Sequence, residues 1–450
     1  VSRQTVHVLV GALALLLRWL TWPQAVLLGV AGVAFNLVVL PRIMPDLMRP
    51  EDRAQPLLSG IVLYPAAVLG LVLLFPSRLD LAAIAWVILA AGDGMSTLVG
   101  KHVKTGRLPW NPAKSVGGLA AFLIFGGAAA VGTAFWMSGD ASTQNSAMAF
   151  SGSTGVSTLA LVVVPLLAAT AAAFVETVPI KLNDNISVPA IAALVLWSCA
   201  FMNPETFTTI SSVLVPSRLA TALALNVAVA ALGYWAKTVT VSGAIAGAAI
   251  GTAIYLGAGF DGWQVLFASF LLAAATTRLG RQRKTAAGIA EARGGRRGAG
   301  NAIANTGLAA LAAFVTLGAL DDLPLLALVT ALATGASDTV ASEVGKAWGR
   351  TTWLITGFRR VPPGTSGAIS LEGTVAGIVA AAFLAWLAAG LGLIMSEWIA
   401  CVVFAATAAS FVESWLGATL EGDGTLNNDA LNFVNSALGA GLALVCVEWL

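Results

Sequence analysis

Apolar stretches of roughly twenty residues, the length needed to cross the hydrocarbon core of a bilayer, recur from one end of this 450-residue chain to the other. Lipid offers no water to satisfy backbone N–H and C=O groups, so spanning segments must be helices or closed barrels. A barrel would show short segments of alternating hydrophobicity, and none appear. Only 10% of the residues are charged, against 58% hydrophobic. The expected fold class is therefore all-α, a polytopic transmembrane helical bundle of about 15 spans running from 5–20 to 430–449. The first stretch, Val6 to Leu20, lacks a small-residue cleavage site and is followed at once by further spans. It reads as a mature helix rather than a signal peptide.

Charge sets the expected orientation. With the N-terminus inside and the spans alternating, the inner segments hold 21 of the 24 basic residues. The outer segments hold only Arg18, Arg78 and Arg218. Basic residues resist translocation, so this asymmetry predicts an inner (plasma) membrane protein with a cytoplasmic N-terminus. The outer loop 138–157, rich in Ser, Gly, Thr and Asn, reads as solvated connector. The stretch 203–216 separates seven spans from eight and marks the expected boundary between domains 1–203 and 217–450. Cys199, Cys401 and Cys446 all lie inside apolar runs. Three dispersed thiols suggest small packing residues rather than a disulfide framework or a zinc site.

The two halves repeat one another. AGDGMSTLVGK (91–101) answers ASDTVASEVGK (336–346), with Asp93 and Asp338 standing 245 positions apart. Ser115-Val116-Gly117-Gly118 answers Ser370-Leu371-Glu372-Gly373, and Glu176 in AAAFVET answers Glu413 in AASFVES. Asn183-Asp184 then answers Asn428-Asp429. The equivalent spans, fourth and twelfth, differ by an even number, so the halves should be parallel-oriented repeats rather than inverted ones.

Asp93, Thr97, Gly100 and Lys101 fall on one helix face, and Asp338, Ser342, Gly345 and Lys346 repeat it. A carboxylate inside the membrane costs at least ~2.5 kcal/mol unless it is paired or hydrated, which makes it a functional candidate. The competing reading is an ion pair that fixes helix packing, and for Asn183, Asp184, Asn428 and Asp429 it is helix capping. Acids, glycine-rich turns and basic loops on one side suit a magnesium–polyphosphate, because Mg²⁺ takes one or two carboxylates plus phosphate oxygens. Lys and Arg neutralise phosphate charge. No Walker A motif is present: His102 follows Gly100-Lys101, and Ala347 follows Gly345-Lys346.

GDGMSTLVGK (92–101), LPWNPAKSVGG (108–118) and FVETVPIKLNDNISVP (174–189) resemble the phytol kinase and dolichol kinase family of membrane lipid kinases. Arg3 with His7 gives a fainter match, with Gln4 where that family has Lys. The second half resembles the phytyl-phosphate kinase family, long known as an uncharacterised transmembrane family. Its matching blocks are RRGAGNAIAN (296–305), ASDTVASEVGK (336–346), VPPGTSGAISLEGT (361–374), FVESWLGATLEG (411–422) and LNNDALNFVNSALGA (426–440). Asn301–Thr306 and Thr365–Ser370 depart from that family's usual wording, while the acids are kept.

The resemblance implies a fusion with two successive kinase activities, prenyl alcohol to monophosphate and then monophosphate to diphosphate. It further implies a nucleoside triphosphate donor, CTP in the first instance, with Mg²⁺. Carried residue by residue, the first site would use Asp93, Lys101, Lys114 and Glu176 catalytically, with Thr97, Ser115, Asn183, Asp184 and Asn185 binding substrate. The second would use Asp338, Glu343, Lys346 and Glu413, with Arg297, Asn301, Asn305, Ser342, Thr365, Ser366, Asn428, Asp429 and Asn432 binding. Asp93, Glu176, Asp338 and Glu413 are the expected metal ligands. The second site should carry more positive charge, since its acceptor is already an anion, and the loop 278–297 supplies seven Lys and Arg residues. The partners are then prenyl alcohols and prenyl phosphates in the membrane, with no nucleic acid. Two rivals remain: a lipid cytidylyltransferase would share the nucleotide and metal, and a parallel-repeat transporter would place its acids near the bilayer midplane.

Overall fold

A computed structural model describes residues 3–43, 59–103, 105–138, 151–152, 155–156, 158–200, 202, 215–421 and 425–448. Most of the connector 138–157 and nearly all of the boundary stretch 203–216 lie outside the described residues, as do Arg49, Arg53 and Lys104. The protein is an all-α polytopic membrane protein. Backbone packing divides the chain into two units, Val1–Phe207 and Thr208–Leu450.

In the first unit the helices are α1 (Gln4–Arg18), α2 (Trp22–Ile43), α3 (Gly60–Leu74), α4 (Leu79–His102), α5 (Val116–Ser138), α6 (Thr158–Glu176) and α7 (Asp184–Cys199). A hairpin of β1 (Arg107–Leu108) and β2 (Asn111–Ser115) joins α4 to α5, and β3 (Ser151–Gly152) pairs with β4 (Gly155–Val156). The second unit has α8 (Pro216–Trp235), α9 (Val241–Arg278), the short α10 (Arg281–Ala286), α11 (Ala299–Thr316), α12 (Leu323–Trp348), α13 (Leu371–Gly390), α14 (Ser396–Glu421) and α15 (Asn428–Glu448). Between α12 and α13 a small antiparallel sheet is ordered β6 (Arg359–Val361), β5 (Thr352–Leu354), β7 (Ala368–Ser370).

Among the described residues 11 helices are long and apolar enough to cross a membrane, and Gln4–Arg18, Gly60–Leu74 and Asp184–Cys199 are shorter apolar helices. Two apolar stretches each about long enough to span, 241–258 and 262–278, are run together in α9. Gly259 interrupts it with φ 72°, a left-handed conformation that glycine adopts without steric cost.

The repeat is visible in three dimensions. Each unit runs long helix, β connection, and three further helices, with α4, α5, α6 and α7 answering α12, α13, α14 and α15. Ser115 caps α5 by accepting from Gly118 N at 3.1 Å, and Ser370 caps α13 by accepting from Gly373 N at 3.1 Å. These hydroxyls satisfy an N–H that the first helical turn would leave orphaned. Gly100 and Gly345 pack against those same two hydroxyls, where a side chain would crowd the cap. The glycine and the serine of each half thus record one packing contact used twice.

The central helices are the most buried. In α12 nearly every residue from Leu326 to Ser337 is buried, as is α4 from Leu79 to Ala90. By contrast α2 is largely exposed and packs mainly on α3. Two of the three thiols differ from the reading as packing residues. Cys401 on α14 and Cys446 on α15 form a disulfide, with Cα atoms 5.9 Å apart, and only Cys199 is a free buried thiol.

Candidate active sites

In the first unit three acids from three helices converge. Asp93 sits at the end of a π-helical segment, Ile88–Asp93, inside α4. Such segments widen one turn and shift the register of the residues beyond it, and they are frequent at functional sites. Glu176 is the last residue of α6, and Asp184 is the first of α7, which Asn183 caps by accepting from Asn185 N. Carboxylate oxygens of Asp93, Glu176 and Asp184 all lie within 4.8 Å of one another.

Lys114, carried by β2, reaches into this cluster. Its Nζ donates to Glu176 Oε1 at 2.5 Å and to Asp184 Oδ2 at 3.1 Å. Burial pulls the Lys114 ammonium down, but Asp184 and Glu176 outweigh it and hold the group above its usual range. Ser96 Oγ donates to Glu176 at 3.2 Å. His7 Nε2 lies 3.6 Å from Asp93 Oδ2 and 3.3 Å from Leu89 O, and its ring packs on Tyr64 with centroids 4.3 Å apart. Tyr64 in turn accepts from Trp86 Nε1 at 2.9 Å.

Three carboxylates facing one ammonium leave a formal charge of −2 when all are ionised, which suits a hard divalent cation bound through oxygen. Asp93, Thr97, Lys114, Glu176, Asn183, Asp184 and Asn185 line one cavity of about 1320 Å³. Its remaining wall is mostly apolar, from α1, α2 and α3. Lys101 is exposed and does not line the cavity, and Ser115 is a buried cap.

The second unit is built differently on the same frame. Asp338 on α12 and Glu413 on α14 bring their carboxyl groups close enough to interact. No third acid completes a metal-binding cluster there among the described residues. Lys114's counterpart, one residue before the capping serine, is Ile369. Leu98 is replaced by Glu343, which is buried and pairs with the fully buried Lys284 of α10. Lys284 also donates to the carbonyls of Thr277 at 2.8 Å and Thr276 at 3.2 Å, completing its coordination.

The ionic chain continues outward. Lys346 Nζ lies 3.5 Å from Glu343 Oε1 and 2.9 Å from Glu291 Oε1. Burial pushes Glu291 up, but Lys346, Glu343 and Arg297 outweigh it, so its carboxyl sits below the usual range. Burial also holds Arg297 below its usual range, although Glu291 and Glu343 both favour its charged form. Lys284, Lys346 and Arg297 against Glu291 and Glu343 make this chain formally +1. Arg297 NH1 lies 3.5 Å from Asn301 Oδ1, and both line a slot of about 130 Å³ with Asn305 and the rings of Trp263, Phe267 and Phe270.

The other expected residues of this half are scattered. Ser366 donates to the carboxylate of Glu421 and Thr365 to Pro362 O, both exposed. Ser342 and Asn428 are exposed, Asp429 packs beside Gly300 of α11, and Asn432 is buried on α15.

A model of integral membrane proteins, described as DUF92, matches residues 224–440. An uncharacterized membrane protein of Synechocystis sp. is 42% identical over 199 residues, which is 43% of this chain and 77% of that protein. This chain belongs to the DUF92 family. Protein VTE6, chloroplastic, of Arabidopsis thaliana is 38% identical over 217 residues, 46% of this DUF92 chain and 65% of VTE6. Phytol kinase 1, chloroplastic, of the same plant is 29% identical over 205 residues, 42% of this chain and 62% of that enzyme. No solved structure matches this DUF92 protein.

Sequence reasoning did not single out Tyr64, Ser96, Glu291 or Glu421. Tyr64 carried one usable signal, being one of only three tyrosines in the chain.

Proposed function

We propose that this protein is a bifunctional membrane prenyl-lipid kinase. The first unit phosphorylates a prenyl alcohol, and the second phosphorylates the resulting monophosphate to the diphosphate. The donor is a nucleoside triphosphate, CTP in this reading, and both sites face the cytoplasm. The observation that carries the reading is the Asp93–Glu176–Asp184 cluster with Lys114 at the head of an apolar-walled cavity. A hydroxylated lipid needs those two environments joined: an apolar wall for its chain and a charged head for the phosphoryl group.

In the first unit the alcohol oxygen attacks the terminal phosphorus, and the bond to the bridging oxygen of the nucleotide breaks. The nucleoside diphosphate leaves, and the alcohol proton passes to a carboxylate of the cluster, with Asp93 and its neighbour His7 nearest the apolar wall. Lys114 is placed to neutralise phosphoryl oxygens once it exchanges a carboxylate for them. Asp93, Glu176 and Asp184 would hold Mg²⁺, which supplies charge neutralisation at the phosphates. In the second unit Asp338 and Glu413 are the equivalent acids, and Arg297, Asn301 and Asn305 head an aromatic slot with room for the phosphate end of a prenyl phosphate. The extra cations there match an acceptor that arrives as an anion. The likeness to phytol kinase 1 supports a prenyl alcohol as the first acceptor. Each relative matches less than half of the chain, which leaves room for two activities in it.

The test is product mass after incubating purified protein with a panel of prenyl alcohols, CTP or ATP, and Mg²⁺. Monophosphate followed by diphosphate is the expected result. A CMP-lipid with released pyrophosphate would replace the kinase reading by a cytidylyltransferase, and no product from any acceptor would remove both.

A further inference from the structure

The apolar part of the first-unit cavity has a shape that its carboxylate head does not require. It runs between the two arms of the α1–α2 hairpin and along α3. From His7 to Leu17, both of which line it, α1 rises about 15–18 Å, because its second half is 3-10 helix with a steeper rise. Along α3 the lining runs from Ile61 to Val72, about 16 Å. The far end runs into packed side chains: Leu17, Ala25 and Val72 line it and are each 1% exposed. Trp22 Nε1 donates to Val72 O at 2.9 Å and ties the start of α2 to the end of α3 at that point.

We infer that this arm is the prenyl-chain slot of the first site and that Leu17, Ala25 and Val72 form the stop that sets the length of chain accepted. The inference rests on the proposed function and assigns the residues that choose among its substrates. An arm that ends on buried side chains accommodates one chain whose hydroxyl stays at Asp93 and His7. A chain longer than the arm must fold back or withdraw its hydroxyl from the cluster. A mismatch of one methylene in an apolar pocket changes specificity by about tenfold or more. The stop lies on parts of α1, α2 and α3 remote from the acids, so changing it leaves the charged head intact.

The experiment compares wild type with Leu17→Trp, Val72→Trp and the control Leu27→Trp in the full-length protein. Leu27 is 67% exposed on α2 and does not line the cavity. The readout is kcat/KM for geraniol, farnesol, geranylgeraniol and phytol. Both stop variants should lose about tenfold or more on the longest alcohols while keeping the shortest, and Leu27→Trp should match wild type. An unchanged length profile in both stop variants overturns the inference. If one of them fails to fold, the other decides, with Ala25→Leu as a milder third. If wild type turns over no alcohol, the kinase reading fails instead. Equilibrium binding of the same four alcohols then decides the slot, and a length preference unmoved by the stop variants would end it.

Discussion

Lys114 Nζ lies 2.5 Å from Glu176 Oε1 and so binds the β hairpin after α4 to the end of α6. The contact does two things. It gives a glutamate that is 4% exposed a partner of opposite charge, and it holds a cation beside the carboxylates that would meet a phosphate. The second unit keeps the acid, as Glu413, but has Ile369 in the lysine's place. There the cations arrive from α10 and α12 instead, as Lys284 and Lys346. One frame thus carries two differently charged sites.

Removing the lysine should therefore affect one step. Lys114→Met is expected to lower phosphorylation of the free alcohol by about a hundredfold, the scale of losing a group that stabilises developing charge. Conversion of added monophosphate to diphosphate should stay near wild type. Product mass with each acceptor measures both rates. An equal loss in the two steps would mean that Lys114 supports the whole fold rather than the first site.

Metal dependence should follow the acid clusters. Protein stripped with a chelator is expected to lose alcohol phosphorylation and regain it on adding Mg²⁺. Glu176→Gln and Asp184→Asn should raise the Mg²⁺ concentration needed for half-maximal rate, since each removes an anionic oxygen ligand from the cluster. Full turnover after chelation would sink the assignment.

Much of the fold was legible because lipid punishes unpaired polar groups severely. Span lengths, and acids such as Asp93 and Asp338 inside spans, stand out against the apolar background. The repeat was legible too, because the Gly100–Ser115 and Gly345–Ser370 contacts need the same residue types in the same order. Other features were hidden for definite reasons. The π segment at Ile88–Asp93 changes hydrogen-bond register without any change in composition. The family resemblance names Lys114, but its pairing with Glu176 and Asp184 depends on a hairpin that brings it to acids more than sixty positions away. Lys284 reads in sequence as one more cation of a basic loop, and only the fold shows it fully buried on Glu343. The Cys401–Cys446 bond joins neighbouring helices across 45 positions that carry no cysteine pattern.

The Glu291–Lys346 pair predicts a pH dependence of stability in the second unit. A carboxyl held below its ordinary 4.5 contributes stability at pH values above 4.5, and loses it as pH falls through the lower folded value. Glu291→Gln should thus melt earlier than wild type at neutral pH. The gap should close as pH drops below 4.5, where wild type protonates as well. Thermal unfolding in detergent across that range gives the answer, and a gap that persists in acid would show that charge is not the cause.

Sidedness has its own test, motivated by the 21 basic residues assigned to inner segments against three outside. Thr105 is exposed in the connection after α4, on the side assigned to the cytoplasm. A cysteine placed at Thr105 should react with an impermeant thiol reagent only after cells are opened, and one at Thr143 should react in intact cells. Labelling of the Thr105 position from outside would reverse the orientation.

The strongest test concerns the division of labour between the two acidic sites. Asp338→Asn should leave the first phosphorylation intact, so that prenyl monophosphate accumulates. Asp93→Asn should block use of the free alcohol yet still convert added monophosphate to diphosphate. Each substitution removes one formal charge next to a phosphoryl group, where electrostatic interactions carry most of the rate enhancement, and losses of about a hundredfold or more are ordinary. The effect should stay local because each acid's partners belong to its own unit: His7 for Asp93, and Glu413 for Asp338. Both variants are assayed with both acceptors by product mass, alongside a melting measurement that confirms they remain folded. If either one abolishes both steps while folded, the acids serve one composite site, and the assignment of one activity to each unit is wrong.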